Sequence, residues 1–272
     1  MRLKIRLIRG IRCKKSCEAK FSDMDSREKK IDSLIDGFRS YLDQLRGEEV
    51  EYVISYGKKP EEKKVVGEKK VKKVKKMVEH LPEATLDRLK KLEEEVGRCL
   101  RCGLGKTRNK AVFGEGEIKR GVMFIGEGPG ANEDIQGRPF VGRAGKLLDK
   151  ILASIGLKRK DVFITNIIKC RPPGNRDPKP DEVIACWPYL EEQIELLKPR
   201  VIVTLGSPAS KTLLETSQGI SRLRGRIHDY QGIPLIPTYH PAYLLRTYTL
   251  ENRKKVWEDM KLLKNFLEGE VG

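Results

Sequence analysis

Four short apolar runs limit what this chain can fold into: "VMFIG" (122–126), "VFITN" (162–166), "VIVTLG" (201–206) and "IPLIPT" (233–238). Each is bounded by Gly, Pro, Asn or Asp. Their apolar character is continuous rather than alternating, which suits strands covered on both faces. Between and after them lie "GKLLDKILASIGL", "PDEVIACWPYLEEQIELLKP", "SPASKTLL" and "RKKVWEDMKLLKNFLEG", with apolar residues at helical spacing. This alternation predicts an α/β fold: a three-layer sandwich with a central, mainly parallel four-stranded sheet flanked by helices and joined by right-handed crossovers. In such sheets functional residues collect at the carboxyl ends of the strands. "GEGPG" follows the first run, Asn166 ends the second, Gly206 ends the third and His240 closely follows the fourth.

The texture before residue 82 is different. Residues 1–80 carry 23 basic and 14 acidic side chains, and ten lysines fall between Lys58 and Lys76. The chain therefore divides into a basic N-terminal extension, 1–82, and an α/β domain, 83–272. Within the extension, Ile31, Leu34, Ile35, Phe38, Leu42 and Leu45 have the spacing of an amphipathic helix, N-capped by Asp25 or Ser26. The Lys-rich stretch reads either as a solvated tether or as an arm for nucleic acid whose contacts weaken as salt rises. A replication or repair protein is a further expected partner for the extension.

The formal net charge of +17 favours a polyanionic partner, nucleic acid before an anionic membrane surface. No apolar run approaches the ~18 residues of a membrane span. The N-terminus, "MRLKIRLIRGIRCKKSC", alternates basic and apolar residues and lacks the form of a secretory signal. A cytoplasmic, nucleoid-associated monomer is expected, with no membrane partner. In a reducing compartment the six cysteines are expected as thiols or metal ligands rather than disulfides.

Cys99 and Cys102 form a C-x2-C turn that can aim two thiolates at one metal. Cys170 and Cys186 bracket the stiff, polar "CRPPGNRDPKPDEVIAC" and could supply two more ligands. On spacing alone the four fit zinc or an iron–sulfur cluster, against the plainer reading of unrelated buried thiols. Cys13 and Cys17, spaced C-x3-C amid lysines, read as free thiols, with a second metal site as the alternative. "IGEGPGANEDIQGRPFVGRAGKLLD" (125–149) sets three glycines and a proline after a buried strand, where a ligand can approach the backbone closely. It matches neither a Walker loop nor a dinucleotide fingerprint. Glu127, Glu133 and Asp134 place carboxylates by the same loop, and Phe140 sits just before a helix, where core packing is the plainer reading. In "PTYHPAYLLR" (237–246), Leu244 and Leu245 could wedge into a base stack beside a phosphate-seeking Arg246, or begin a helix packed on the core.

Taken together, "GEGPGANEDIQGRPFVGRAGKLLD", "FITNIIKCRPPGNRDPKPDE", "ACWPYLEEQIELLKPRVIVTLGSPA" and "YHPAYLLR" resemble the ordered motifs of the family-4 uracil-DNA glycosylases of bacteria and archaea. The resemblance covers roughly residues 90 to 266 and leaves out the extension. It implies a structural [4Fe–4S] cluster on Cys99, Cys102, Cys170 and Cys186. It implies a monofunctional DNA repair enzyme that flips uracil from single- or double-stranded DNA and hydrolyses its N-glycosidic bond, leaving an abasic site.

By the same resemblance Phe140 would stack on the base and Asn166 would read its O4/N3 edge. His240 would donate to O2 as charge develops, and Glu127 would stabilise the sugar cation or orient water. Glu133 would line the C5 side, and Gly126 and Gly128 would complete the wall. Arg138, Arg143, Arg171, Arg176, Leu244, Leu245 and Arg246 are the expected DNA contacts. Gly128 departs from the family, where many members carry Ala. A related branch traps DNA covalently through a histidine in an inserted loop; the corresponding interval here, "CRPPGNRDPKPDE", has none, and His228 lies in a later segment. Turnover is therefore expected. The alternative is a non-catalytic iron–sulfur DNA-binding protein that retains the fold; a redox carrier fits less well, because the chain lacks a compact ferredoxin cysteine run.

Overall fold

The computed structural model describes residues 81–269. The expected helix at 25–45, the lysine-rich stretch, Cys13 and Cys17 lie outside the described residues. At the centre, β1 (Val122–Gly126) is buried at every position. It pairs in parallel with β2 (Phe163–Asn166) on one side and with β3 (Val201–Leu205) on the other. β3 pairs in parallel with β5 (Ile233–Thr238), and with β4 (His228–Tyr230) at the edge the sheet order is β2-β1-β3-β5-β4. An outer bridge at Glu115 pairs antiparallel with Ile164 of β2.

The fifth strand, β4 (His228–Tyr230), corrects the expectation of four strands. It runs antiparallel to β5 at the sheet edge. Its three residues, two of them polar, are too few to show a period. The cue lay in the turn: Gln231 (φ 54°) and Gly232 (φ 84°) both sit in the left-handed region, as a tight two-residue hairpin requires.

Side chains on the two faces of the four parallel strands enter two cores. Met123 and Ile125 pack with α1 (Glu83–Arg98), α5 (Pro180–Leu197) and α6 (Ser207–Leu214) through Leu92, Val96, Leu190 and Leu213. Val122 and Phe124 pack on the opposite side with α4 (Arg143–Ser154), α8 (Pro241–Arg246) and α9 (Leu250–Glu268) through Leu148, Leu152, Leu244 and Met260. This is the expected three-layer sandwich. Burying each such Leu, Ile, Val or Phe stabilises the fold by about 1.5–3 kcal/mol. Three short α-helices, α2 (Leu104–Thr107), α3 (Ala131–Gln136) and α7 (Ile220–Leu223), and two single 3-10 turns, Arg159–Asp161 and Pro173–Asn175, complete the described elements.

A buried ion pair fixes α9 to the sheet near the site. Asp259 is fully buried and accepts from Arg224 at 3.0 and 2.8 Å and from Thr238 at the end of β5 at 2.6 Å. Thr238 stands two residues before His240, so this anchor holds the strand end from which the site's histidine projects. No helix among the described residues is long and apolar enough to cross a membrane.

Candidate active site

The carboxyl ends of β1, β2, β3 and β5 open into one cavity of about 720 Å³, lined among others by Glu127, Phe140, Asn166, Gly206 and His240. That size is within the usual range for a ligand pocket. The parallel register places Gly126 directly beside Asn166. A Cβ on Gly126 would stand 2.4 Å from Asn166 Oδ1 and 2.7 Å from the Phe140 ring. Glycine is therefore what allows the amide and the ring to close over the strand end.

Asn166 is 1% exposed. Its Oδ1 and Trp187 Nε1 are the buried side-chain atoms without a hydrogen-bond partner among the described residues. An unsatisfied buried acceptor costs roughly 1–3 kcal/mol, and one at a cavity wall is poised to recover that cost from a ligand N–H. The other side of Asn166 is tightly held. The buried Lys169 ammonium donates to Asn166 O, Thr165 Oγ1 and Gln193 Oε1, each at 2.7 Å.

Phe140 is 7% exposed and adopts φ 51°. For a residue with a side chain this conformation costs about 1–2 kcal/mol, so its neighbours must impose it. Glu133 Oε1 accepts from the amides of Val141 (2.8 Å) and Gly142 (2.9 Å). Arg159 donates to the carbonyls of Pro139 and Phe140. The Phe140 ring lies 5.6 Å from the His240 ring, tilted by 34°.

His240 forms the N-cap of α8, and its Nδ1 accepts from the Ala242 amide at 3.0 Å. In a neutral imidazole the proton must then sit on Nε2. Burial, with Arg246 nearby adding to it, pulls the pKa down from 6.5 to about 4, so the ring is neutral at physiological pH. Gly206 (φ 93°) comes within 2.9 Å of His240 Cβ, measured from where its own Cβ would be, and so lets β3 end against the histidine. Burial, helped by Asp177, pushes the Glu127 carboxyl up to about 7.

Gly128 also lines the cavity. A Cβ there would fall 2.7 and 2.8 Å from the Ile168 side chain. Glycine at this position thus matches an Ile168 that already fills the space of a methyl.

The expected DNA-contacting residues differ in setting. Arg143, Leu245 (41% exposed) and Arg246 are at the surface, and Arg246 lines the cavity mouth. Leu244, 3% exposed, lies in the core. Because α8 is helical, adjacent leucines point about 100° apart, and only one of them can face outward. Arg138 is paired with Glu115 at 2.7 and 2.8 Å, and Arg176 with Glu182 at 2.9 and 2.6 Å. Arg171 donates to Asn175 Oδ1 at 2.7 Å.

Cys170 and Cys186 belong to one apolar core, with Cys99 and Cys102 packed against it. Three of the sulfurs accept N–H groups: Cys170 from Arg108 at 2.8 Å, Cys186 from the Lys169 amide at 3.2 Å and Cys99 from the Arg101 amide at 3.5 Å. Burial is the main cause that raises the Cys170 pKa, against the Arg108 guanidinium, with Cys102 and Cys99 adding to the rise. Among the described residues no three Cys, His, Asp or Glu side chains stand in a metal-binding arrangement. The donor set is nonetheless chemically suited to an iron–sulfur cluster: four thiols in one apolar setting, three of them with sulfurs that accept N–H groups, as cluster sulfurs do; burial pushes the Cys186 thiol up as well, to about 12.

Arg159, Glu115 and Lys169 were not evident from the sequence. Arg159 lies in "LKRKD", which reads as a solvated turn, and Glu115 lies between two glycines. Lys169 had one faint cue, a lone charge within the buried run "NIIKC".

A sequence profile of the Uracil DNA glycosylase superfamily matches residues 113–261. The type-4 uracil-DNA glycosylase of Saccharolobus solfataricus is 47% identical over 191 residues, covering 67% of this chain and 88% of that protein. The type-4 uracil-DNA glycosylase of Thermotoga maritima is 45% identical over 181 residues, covering 66% and 94%. That of Archaeoglobus fulgidus is 42% identical over 184 residues, covering 65% and 92%. With its sheet order, its strand-end cavity and these relatives, the chain belongs to the uracil-DNA glycosylase superfamily, in the type-4 group.

Proposed function

We propose that the protein is a uracil-DNA glycosylase acting in base excision repair, taking uracil from single- or double-stranded DNA and releasing it to leave an abasic site. The observation that carries this reading is the buried Asn166 amide, whose Oδ1 lacks a partner beside the Phe140 ring. Uracil offers N3–H to Oδ1 and O4 to the amide N–H. Cytosine presents an acceptor and an amine at the same edge and would leave both amide groups opposed. A site built to pair one edge rejects an analogue that leaves buried polar groups unpaired.

In the proposed reaction the flipped base stacks on Phe140 while the C1′–N1 bond lengthens. The bond pair leaves with the base, and negative charge grows at O2. His240 Nε2–H donates there, its tautomer held by the Ala242 amide. A neutral donor already in place needs no rearrangement as the charge appears. The sugar becomes oxocarbenium-like, and ionised Glu127 faces it and orients a water to C1′. The water oxygen bonds to C1′ and its proton leaves through Glu127. In this reading the exposed Leu245 fills the vacated stack, and the exposed Arg143 and Arg246 meet phosphate.

A [4Fe–4S] cluster on Cys99, Cys102, Cys170 and Cys186 is part of the proposal. When bound it supplies a covalent tie between the segment after α1 and both the start of the loop after β2 and α5, which carries Cys186. The protein as purified is expected to contain about four iron atoms per chain, and Cys170→Ser is expected to lose iron and lower the melting temperature. Stoichiometric zinc or no metal in freshly isolated protein would contradict this.

The main test is release of free uracil from single-stranded, U·G and U·A substrates. Asn166→Ala and His240→Ala are each expected to slow single-turnover release about 100- to 1,000-fold while leaving affinity for uracil-free DNA nearly intact. A wild-type protein that binds DNA but releases no uracil would overturn the proposal.

Glu127 gives a pH test. Its carboxyl must be ionised to act, and its pKa is pushed up to about 7. Release is therefore expected to rise with pH through about 7 and to become flat and slow in Glu127→Gln. A wild-type rate that is flat from pH 5.5 to 8.5 would remove Glu127 from this role.

A further inference from the structure

We infer that Arg159 is a positioning residue for the base platform, holding Phe140 in its left-handed conformation from outside the cavity. The inference rests on the reading of Phe140 as the surface on which the base stacks. Nothing in the mechanism above requires Arg159, whose side chain comes from the turn before β2 and is not among those that line the cavity.

Both polarities of the loop are tied down by side chains rather than by secondary structure. Its amides, Val141 and Gly142, donate to Glu133. Its carbonyls, Pro139 and Phe140, accept from Arg159, the latter at 3.1 Å from Nη1. With φ at 51°, Phe140 turns its carbonyl toward the first turn of α4. A Cβ at position 145 would stand 1.7 Å from that oxygen, so Gly145 leaves the space it needs.

The guanidinium is itself aimed. Nε donates to Glu115 Oε1 at 2.9 Å, and Nη1 lies 3.3 Å from Asp149 Oδ1 on α4. Glu115 is fixed to the sheet by two main-chain bonds with Ile164, at 2.9 and 2.8 Å. The Arg159 side chain is only 18% exposed. One planar group thus spans two carboxylates and two successive carbonyls. The point charge of lysine cannot reproduce that fork.

The consequence is a chain of position from the sheet edge through Glu115 and Arg159 to the Phe140 peptide and ring. Without it, Phe140 is free to relax to an ordinary backbone conformation, and the ring leaves the plane that faces Asn166 and His240. Binding of the DNA backbone does not pass through this chain, so loss of Arg159 affects the chemical step and spares the docking of undamaged DNA.

The test is a double-mutant cycle on the full-length protein, with Arg159→Ala, Phe140→Ala and the double variant. Maximal single-turnover uracil release and affinity for uracil-free DNA are measured on samples with a cooperative melt. Arg159→Ala is expected to cut the maximal rate about tenfold, and the double variant to be no slower than Phe140→Ala alone, the mark of two residues acting as one unit. Affinity for uracil-free DNA is expected to change less than about twofold, as a rim-distant, uncoupled site would allow. If Arg159→Ala does not fold, Arg159→Lys carries the same comparison, with the same non-additivity expected. Multiplying losses in the double variant, an unchanged rate in the Arg159 variants, or a parallel loss of DNA affinity would overturn the inference while leaving the proposed function standing. An unchanged rate in Phe140→Ala would instead remove the stacking role on which the inference rests.

Discussion

The site depends on a missing methyl group. Parallel pairing of β1 with β2 sets residue 126 against residue 166. Any side chain at 126 would enter the space held by the Asn166 amide and the Phe140 ring. With glycine there, the amide, the ring and the His240 imidazole converge at one end of the sheet. The two cores and the Arg224–Asp259 pair fix the strand ends that carry them. What the cavity recognises is then set by which hydrogen-bond groups are left open, and the Asn166 acceptor is the open one.

Two titratable groups in the cavity are both held toward neutrality, with opposite consequences for stability. His240 has its pKa lowered to about 4, so the stability gained from keeping it neutral is present above 6.5 and is lost as pH falls toward 4. Glu127 has its pKa raised to about 7, so its contribution is present below 4.5 and is lost as pH rises through 7. The histidine can therefore donate without carrying a full charge. The carboxylate is ionised at the expense of folded-state stability, as functional groups in clefts commonly are.

Much of this could be read before the fold was known, for a physical reason. Strands buried on both faces must be apolar throughout, so all four parallel strands stood out as runs. The positions of Glu127, Asn166 and His240 at their carboxyl ends followed from topology, while the roles proposed for them came from the resemblance. The sequence was weaker wherever a side chain's function depends on its partner. Arg138 and Arg176 looked like any surface arginine, yet each is paired with a carboxylate. Leu244 and Leu245 were indistinguishable until α8 turned one inward. Arg159 had no local signature, because its carbonyl partners lie about 20 residues away. The strand β4 was hidden by its length.

The central claim is that the base is met by a preformed, neutral set of groups, with the His240 proton on Nε2 before any substrate arrives. Nitrogen NMR of the free protein, with His240 assigned by substitution, reads this directly. Nδ1 is expected to be unprotonated and Nε2 protonated from pH 8 down to pH 5, with titration only near 4. An imidazolium at neutral pH, a proton on Nδ1, or titration near the ordinary 6.5 would contradict it.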